Sequence, residues 1–156
     1  MRGDLEGPAY AFAVYDDGSG PALYVGGHFS SAGSVEAHGI AKWDGSAWSA
    51  LSGPSGSGIF GTYSTVHALA VFDDGGGPAL YAGGSFTTAG GLWARSIAKW
   101  NGAKWSVLAG PPWTGVQPTI YALAVFDDGS GPALYAGGDF NSAGGVYAEN
   151  VARWNG

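Results

Sequence analysis

The chain of 156 residues contains no cysteine, and charged residues make up only 12% of it. The lack of cysteine excludes disulfide bonds and thiolate metal sites, and it leaves the redox compartment undetermined. Six Lys and Arg against twelve Asp and Glu give a formal charge of −6, which repels phosphate backbones and anionic lipid headgroups. No apolar run reaches the length of a transmembrane helix. We therefore expect neither nucleic acid nor a membrane among the partners.

Signals that would assign a compartment are also few. The N-terminal segment MRGDLEGP has no apolar region of the kind found in signal peptides, and no Asn-x-Ser/Thr sequon occurs. The localisation therefore stays unassigned, although a secreted or cell-surface bacterial parent protein is one interpretation of the repetitive sequence.

No segment is predicted to form a helix either, because no stretch combines a 3.6-residue apolar period with the absence of Gly. What the chain has in abundance is Gly, with 30 residues, and aromatic side chains, at 14%. Gly adopts positive φ without steric cost, so this composition predicts short elements joined by many tight turns. The hydrophobic content of 46% predicts a chain that folds.

One segment occurs three times in nearly identical form. AVYDDGSGPALYVGGHF begins at Ala13, AVFDDGGGPALYAGGSF at Ala70 and AVFDDGSGPALYAGGDF at Ala124. Downstream, IAKWDGSAW at Ile40 recurs as IAKWNGAKW at Ile97, whereas the third copy contains only VARWNG. The chain is therefore a repeat protein, and its third copy lacks the segment that carries the second Trp of this motif.

Each copy predicts four strands, which the first copy illustrates. Alternating small and bulky residues predict a strand over Tyr10–Tyr15, and the Asp, Gly and Pro residues that follow predict a hairpin connection. The second strand covers Ala22–Gly27, where the final Gly pair permits close approach of a neighbouring backbone. The third covers Gly39–Trp43, and an Asp-Gly turn leads to a fourth over Ala47–Leu51.

These strands divide a single repeat domain, residues 1–156, into three copies. The first covers about residues 10–52, the second about 67–109 and the third about 121–156, without its last strand. The segment LEGP at Leu5 resembles LAGP at Leu108, which follows the fourth strand of the second copy. Residues 3–6 are therefore a candidate for a swapped strand that closes the last repeat of another copy of the chain.

Units of about fifty residues with four strands each are typical of β-propeller blades. The Gly-Gly pair after the second strand and the aromatics Trp43 and Trp48 around a turn resemble the kelch repeat. The chain is also similar to bacterial propeller repeats with an ALAV…GG.F…IA signature. The resemblance implies an all-β fold made of three four-stranded antiparallel propeller blades.

Three blades do not close a ring, because propellers contain about four to eight blades. The open faces of the end blades would expose aromatic-rich sheets, which predicts association of the chain with itself. We expect a homodimer that closes a six-bladed propeller, with nine blades from a trimer as the alternative. A fragment of a longer array is the other explanation, and it also predicts association.

No motif for catalysis or cofactor binding is present, so we expect no enzyme, no cofactor and no metal ion. The Asp pairs that begin at Asp16, Asp73 and Asp127 recur beside Gly in every copy, which indicates a role in the turn. The three histidines differ between copies and lack the spacing of a zinc motif, so we expect solvated polar side chains. A metal site or a catalytic base formed by His28 and His38 is the alternative.

Binding residues are expected where the copies differ, because repeats share scaffold positions and vary where they face solvent or a ligand. The connection between the second and third strands differs most, together with the linker between copies. In a propeller both loops open on one rim, where exposed aromatic rings beside carboxylates suit sugar rings or peptide segments. The candidate rim residues are Trp93, Tyr147, Trp113, Phe60, Tyr63, Glu36, Arg95, Glu149 and Asp139. Packing of these aromatics between blades is the alternative.

The hypothesis that results is a non-enzymatic binding or scaffold module that recognises a glycan or a peptide on its variable rim. One alternative is a structural spacer repeat of a large bacterial surface or secreted protein. The other is a fragment or a designed propeller for which no ligand was selected.

Overall fold

The computed structural model describes residues 5–53, 56–108 and 118–156. Within these residues the chain forms strands and turns and no helix, so the all-β prediction is confirmed. A helix long and apolar enough to cross a membrane is therefore also absent from this part of the chain. The strands of the first copy are β1 (Ala9–Asp16), β2 (Pro21–Gly27), β3 (Ser31–Ala32), β4 (Val35–Glu36), β5 (Ile40–Trp43) and β6 (Trp48–Ala50).

A linker with short strands leads into the second copy, which repeats the order of the first. The linker strands are β7 (Ser52–Gly53), β8 (Gly56–Ser57) and β9 (Ile59–Phe60). The second copy contains β10 (Thr65–Asp73), β11 (Pro78–Ser85), β12 (Thr88–Ala89), β13 (Leu92–Trp93), β14 (Ile97–Trp100) and β15 (Trp105–Ser106). The third contains β16 (Thr119–Asp127), β17 (Pro132–Asp139), β18 (Ser142–Ala143), β19 (Val146–Tyr147) and β20 (Val151–Trp154). The four strands predicted in the first copy are all present, with ends that differ by one residue.

Each copy forms one antiparallel sheet whose strands follow chain order. The first sheet has the order β1-β2-β5-β6, the second β10-β11-β14-β15 and the third β16-β17-β20. A small hairpin is inserted between the second and third strands of each sheet: β3–β4, β12–β13 and β18–β19. The paired Trp residues face each other across the last two strands, with Trp43 and Trp48 ring centroids 5.2 Å apart.

The first Asp of each Asp-Asp pair closes the turn between the first two strands. Asp16 Oδ1 accepts hydrogen bonds from the backbone N–H groups of Gly18 at 2.9 Å and Gly20 at 3.0 Å. Asp73 and Asp127 accept the same pair of bonds in their own copies. The predicted turn role is therefore confirmed for these residues.

The second Asp of each pair has a role that the sequence pattern did not reveal. Asp17 accepts a hydrogen bond from the Tyr24 hydroxyl at 2.8 Å and forms an ion pair with Lys42 on β5. The second copy repeats this network around Asp74. Burial raises the pKa of the Asp17 carboxyl, but hydrogen bonds, foremost that from Lys42, outweigh burial and lower the pKa overall. The network ties the first hairpin to the third strand of its own sheet.

Successive sheets lie side by side, with the second strand of one close to the first strand of the next. A Cβ atom added to Gly26 would lie 2.5 Å from Val66 Cγ1, and one added to Gly83 would lie 2.6 Å from Ile120 Cγ2. The first Gly of each pair thus leaves room for a side chain of the next sheet, whereas the predicted approach of a backbone occurs at the second Gly, where a Cβ on Gly27 would lie 2.2 Å from Pro8 O. The largest core cluster joins the first two copies, and its fully buried members include Tyr24, Ile40, Leu51, Ile59 and Leu80.

A β-bulge interrupts the first strand of every sheet at the same place. Pairing shifts between Ala9 and Ala11, so Tyr10 is the extra residue, and His67 and Tyr121 occupy this position in β10 and β16. The three rings form a row, with centroids 5.8 Å apart for Tyr10 and His67 and 5.4 Å apart for His67 and Tyr121. Burial lowers the pKa of His67, which favours its neutral form.

The N-terminal residues that the structure describes lie against the hairpin of the first copy. Leu5 forms an antiparallel bridge with Ala32, and the Glu6 N–H donates to the Ser31 carbonyl at 3.0 Å. Strand β9 pairs with β12 of the second copy in the same way. The other part of the predicted closing strand, residues 3 and 4, lies outside the described residues, so exchange of this strand stays a prediction.

Candidate binding rim

Three hairpins with one backbone geometry carry different side chains. Glu36, Trp93 and Tyr147 occupy the same register position in β4, β13 and β19, and all three are exposed. The turn at each tip uses Gly in the left-handed region, with φ of 58° at Gly33 and 54° at Gly90. The scaffold therefore presents a carboxylate, an indole and a phenol from equivalent places.

The residue two positions further on also differs, and its backbone is strained in two copies. His38 and Arg95 have φ of 39° and 43°, a conformation that is uncommon for residues other than Gly. Ser96 follows Arg95 with φ of 75°, where the first copy has Gly39. Such strain costs about 1–3 kcal/mol per residue and clusters at functional sites. The second copy is therefore the more strained of the two at this point.

In the first hairpin the variable side chains contact each other. His38 Nε2 lies 2.7 Å from Glu36 Oε1, and the Phe60 ring packs on the His38 ring with centroids 4.6 Å apart. Two predicted rim residues, Glu36 and Phe60, are thus joined by His38, for which we expected a solvated side chain. The Glu36 carboxylate is already engaged by this imidazole.

The second hairpin borders a cleft of about 260 Å³. Three predicted rim residues, Tyr63, Trp93 and Arg95, line this cleft. Trp93 is 72% exposed and Tyr63 is 67% exposed, so both rings are accessible to a ligand. The other lining residues are Gly61, Thr62, Ser85, Phe86, Thr87, Ser96 and Pro118. The cleft combines two exposed aromatic rings, the buried ring of Phe86, one guanidinium and several hydroxyl groups.

A partly buried hydrogen bond lies at the inner side of the cleft. The Ser96 side chain is buried, and its hydroxyl donates to the Pro118 carbonyl at 2.5 Å. Pro118 directly precedes β16, so this bond joins the end of the second hairpin to the start of the third copy. Loss of a buried hydrogen bond leaves its partner unsatisfied. The bond therefore helps to hold the strained backbone of Ser96 in place.

One position beside the cleft differs in all three copies. Ser85 lines the cleft, whereas His28 in the first copy extends to the end of the following linker and the start of β10, with Nδ1 3.1 Å from Ser64 O and 3.2 Å from Thr65 Oγ1. The third copy has an exposed Asp139 there. The sequence shows this variation, but its effect depends on which linker lies against each side chain. The small Ser85 leaves room where the larger His28 contacts the linker.

In the third hairpin a tyrosine and a glutamate contact each other. The Tyr147 hydroxyl donates to Glu149 Oε2 at 3.1 Å, and both side chains are exposed. Within the described residues, no hydrogen bond or ion pair joins Asp139 to this pair. Trp113, the remaining predicted rim residue, lies outside the described residues. Eight predicted rim residues are thus described. They form a pair joined by His38, a second pair in the third hairpin, a group of three in the cleft and a separate Asp139: Glu36 and Phe60, Tyr147 and Glu149, then Tyr63, Trp93 and Arg95.

Arg95 is the cationic group of the cleft. Three other cations, Lys42, Lys99 and Arg153, each lie beside the second Asp of the turn in their own sheet. Among the residues that the structure describes, the Arg95 guanidinium has no hydrogen bond and no ion pair. With respect to the described residues, the cleft therefore carries an unpaired positive charge, in a chain whose formal charge is −6.

In residues 5–53, 56–108 and 118–156, no three His, Asp or Glu side chains lie close enough together to hold a metal ion. No protein-family model, no curated protein and no solved structure matches the chain. The geometry of the rim is therefore the basis for assigning a function.

Proposed function

We propose that the chain is a non-enzymatic binding module that recognises its ligand on the rim formed by the three variable hairpins. The observation that supports this function is the contrast between constant backbone and variable exposed side chains at Glu36, Trp93 and Tyr147. Repeats keep scaffold positions constant and vary where they meet a ligand. Exposed aromatic rings next to polar groups provide stacking surfaces with hydrogen-bonding partners.

The scaffold of this module is, in our proposal, a set of kelch-like β-propeller blades. Two features support it: each copy folds into its own antiparallel meander, and the contact between successive sheets is repeated. Gly26 of the first sheet meets Val66 of the second as Gly83 of the second meets Ile120 of the third. A constant contact between neighbouring sheets is what radial repetition around an axis requires.

The two ends of this array are complementary, which supports closure by a second copy of the chain. Leu69 packs against the core of the preceding sheet, whereas Phe12 at the equivalent position is 61% exposed. At the other end, a Cβ added to Gly137 would meet nothing closer than 3.9 Å. Two copies would then form a six-bladed ring, and three copies would form nine blades.

The exposed turn between β16 and β17 of the third sheet supports the same closure. In the first two sheets the next copy lies against the second Asp of the turn. A Cβ on Gly102 of the second copy, for example, would lie 2.8 Å from Asp17 O of the first copy. Asp128 in the third copy has no such cover from a later copy, and its side chain is 41% exposed against 10% for Asp17. A Cβ on Gly45, which would cover Asp128 in a ring, meets nothing within 4 Å in the single chain.

Binding assays with rim variants test the proposed function. The intact chain is screened on arrays of immobilised glycans and peptides, followed by Trp93→Ala and Tyr147→Ala. We expect at least one variant to weaken binding tenfold or more, equivalent to about 1.4 kcal/mol, because exposed aromatics often dominate recognition. Lys104→Ala, on an exposed turn away from the rim, serves as the matched control and should bind normally. Absence of binding by the intact chain would support the structural spacer instead.

A further inference from the structure

The cleft beside the second hairpin differs from the equivalent places in the other copies by its charge. We propose that this cleft binds a carboxylate-bearing sugar, such as a uronic acid at the end of an oligosaccharide. This inference rests on the proposed binding function and names the ligand class of one site on the rim.

The guanidinium of Arg95 provides the carboxylate partner. Guanidinium binds carboxylates through two parallel hydrogen bonds, which give both strength and orientation. Three other cations, Lys42, Lys99 and Arg153, already lie beside aspartates of the protein. Arg95 has no such partner among the described residues, so its donors are open to a ligand.

The walls of the cleft suit a single sugar ring. Trp93 comes from the hairpin and Tyr63 from the linker that precedes the second sheet, so two aromatic rings border the same space. Thr62, Ser85 and Thr87 add hydroxyl groups that donate to and accept from sugar hydroxyls. The volume of about 260 Å³ lies below the ~300–1,000 Å³ typical of pockets that enclose a drug-sized ligand. One ring of a longer saccharide is therefore the expected occupant.

The equivalent places in the other copies do not have this chemistry. In the first copy His38, which corresponds to Arg95, is engaged by Glu36 and covered by Phe60. In the third copy the corresponding residue is Glu149, which repels a carboxylate and accepts a hydrogen bond from Tyr147. Recognition of an acidic sugar is thus expected at the second copy.

A sugar fits these observations better than an acidic peptide or a polyanion. A peptide that adds to a sheet needs an exposed strand edge, and the strand beside the cleft, β13, has only two residues. A pyranose ring is already rigid, so it loses less conformational freedom on binding than a peptide does. The formal charge of −6 opposes ligands with many negative charges and leaves a single carboxylate as the favoured partner.

Titration of the full chain with methyl glucuronide and methyl glucoside tests the proposal, because the two probes differ in the carboxylate. Binding is followed by tryptophan fluorescence or by NMR. We expect the glucuronide to bind at least tenfold more tightly than the glucoside. Arg95→Asn should reduce glucuronide binding at least tenfold and leave the glucoside unchanged. Asn tolerates positive φ, so this variant keeps the backbone of the hairpin. Lys104→Asn removes the same charge from an exposed turn and should change nothing.

The outcomes separate this inference from the proposed function. Equal binding of both probes, with no effect of Arg95→Asn, overturns the acidic sugar and leaves a rim that binds sugars. Binding of an acidic peptide that depends on Arg95, without glucuronide binding, overturns it in favour of a peptide. If neither probe binds and no glycan or peptide on the arrays is retained, both proposals fail.

Discussion

Ser96 combines a strained backbone with a partly buried hydrogen bond, and the effects of the two on stability can be separated. Ser96→Ala removes the bond to Pro118 O but keeps a side chain at φ of 75°. We expect a loss of about 0.5–1.5 kcal/mol in the free energy of unfolding, because the partly buried carbonyl of Pro118 loses its donor. Ser96→Gly loses the same bond and relieves the strain, so we expect it to be less destabilising than Ser96→Ala.

Urea denaturation of the two Ser96 variants measures both effects. Equal losses for Ala and Gly would mean that the left-handed backbone carries no strain at this residue. An unchanged midpoint for Ser96→Ala would show that the bond to Pro118 contributes nothing. Either variant that keeps its fold can then be titrated with sugar, which links the support of the cleft to its binding.

Single residues also show which structural roles a sequence pattern can predict. The turn role of Asp16 could be predicted because its partners, Gly18 and Gly20, are close neighbours in the chain. The role of Asp17 could not, because its partner Lys42 lies on another strand and comes into reach only when the sheet forms. Local hydrogen bonds are visible in sequence, whereas partners from other strands depend on register.

At the scale of elements, the bulged first strands place one histidine between two tyrosines. His67 lies between Tyr10 and Tyr121, and burial lowers its pKa from the ordinary value of 6.5. The unfolded chain therefore binds more protons than the folded chain just below this pH. Stability from the neutral ring is complete above pH 6.5 and is lost as the pH falls from there toward the lower folded pKa.

We predict that His67→Tyr, which makes the row uniform, reduces this loss of stability in mild acid. The free energy of unfolding is measured for both proteins between about pH 7 and pH 5, above the range in which carboxylates ordinarily titrate. The parent chain should lose more stability over this interval than the variant. Identical pH dependence in the two proteins would contradict the assignment to His67.

The strands and hairpins of each copy could be predicted because their signals are local: alternating side chains, Asp-Gly turns and Gly pairs. Tyr63, Trp93 and Arg95 of the cleft could be predicted as binding candidates because the copies differ there. The shape of the cleft could not, because it also needs Pro118 at the start of the next copy. The row of Tyr10, His67 and Tyr121 could not be predicted for a similar reason, since no sequence pattern in these strands marks the bulge. Contacts between repeats depend on how the repeats pack.

At the scale of the whole molecule, the repeated contact between sheets provides a direct test of closure. A side chain at Gly83 would force Ile120 of the next sheet to move, because a Cβ there would lie 2.6 Å from Ile120 Cγ2. Gly137 occupies the same position in the third sheet, and the nearest atoms to its Cβ, on Ala122 and Asn150, are 3.9 Å away. A larger residue at Gly137 is therefore tolerated by a single chain but blocks the neighbouring sheet of a closed ring.

We predict that the parent chain is a dimer by light scattering and that Gly137→Leu is a folded monomer. The expected reason is steric: in a ring, the face of Gly137 would pack against β1 of the partner, where Phe12 is now exposed. Lys104→Leu adds the same side chain on an exposed turn and should stay dimeric. A parent trimer would indicate nine blades, whereas a parent monomer, or a Gly137→Leu dimer as stable as the parent, would contradict closure through this face.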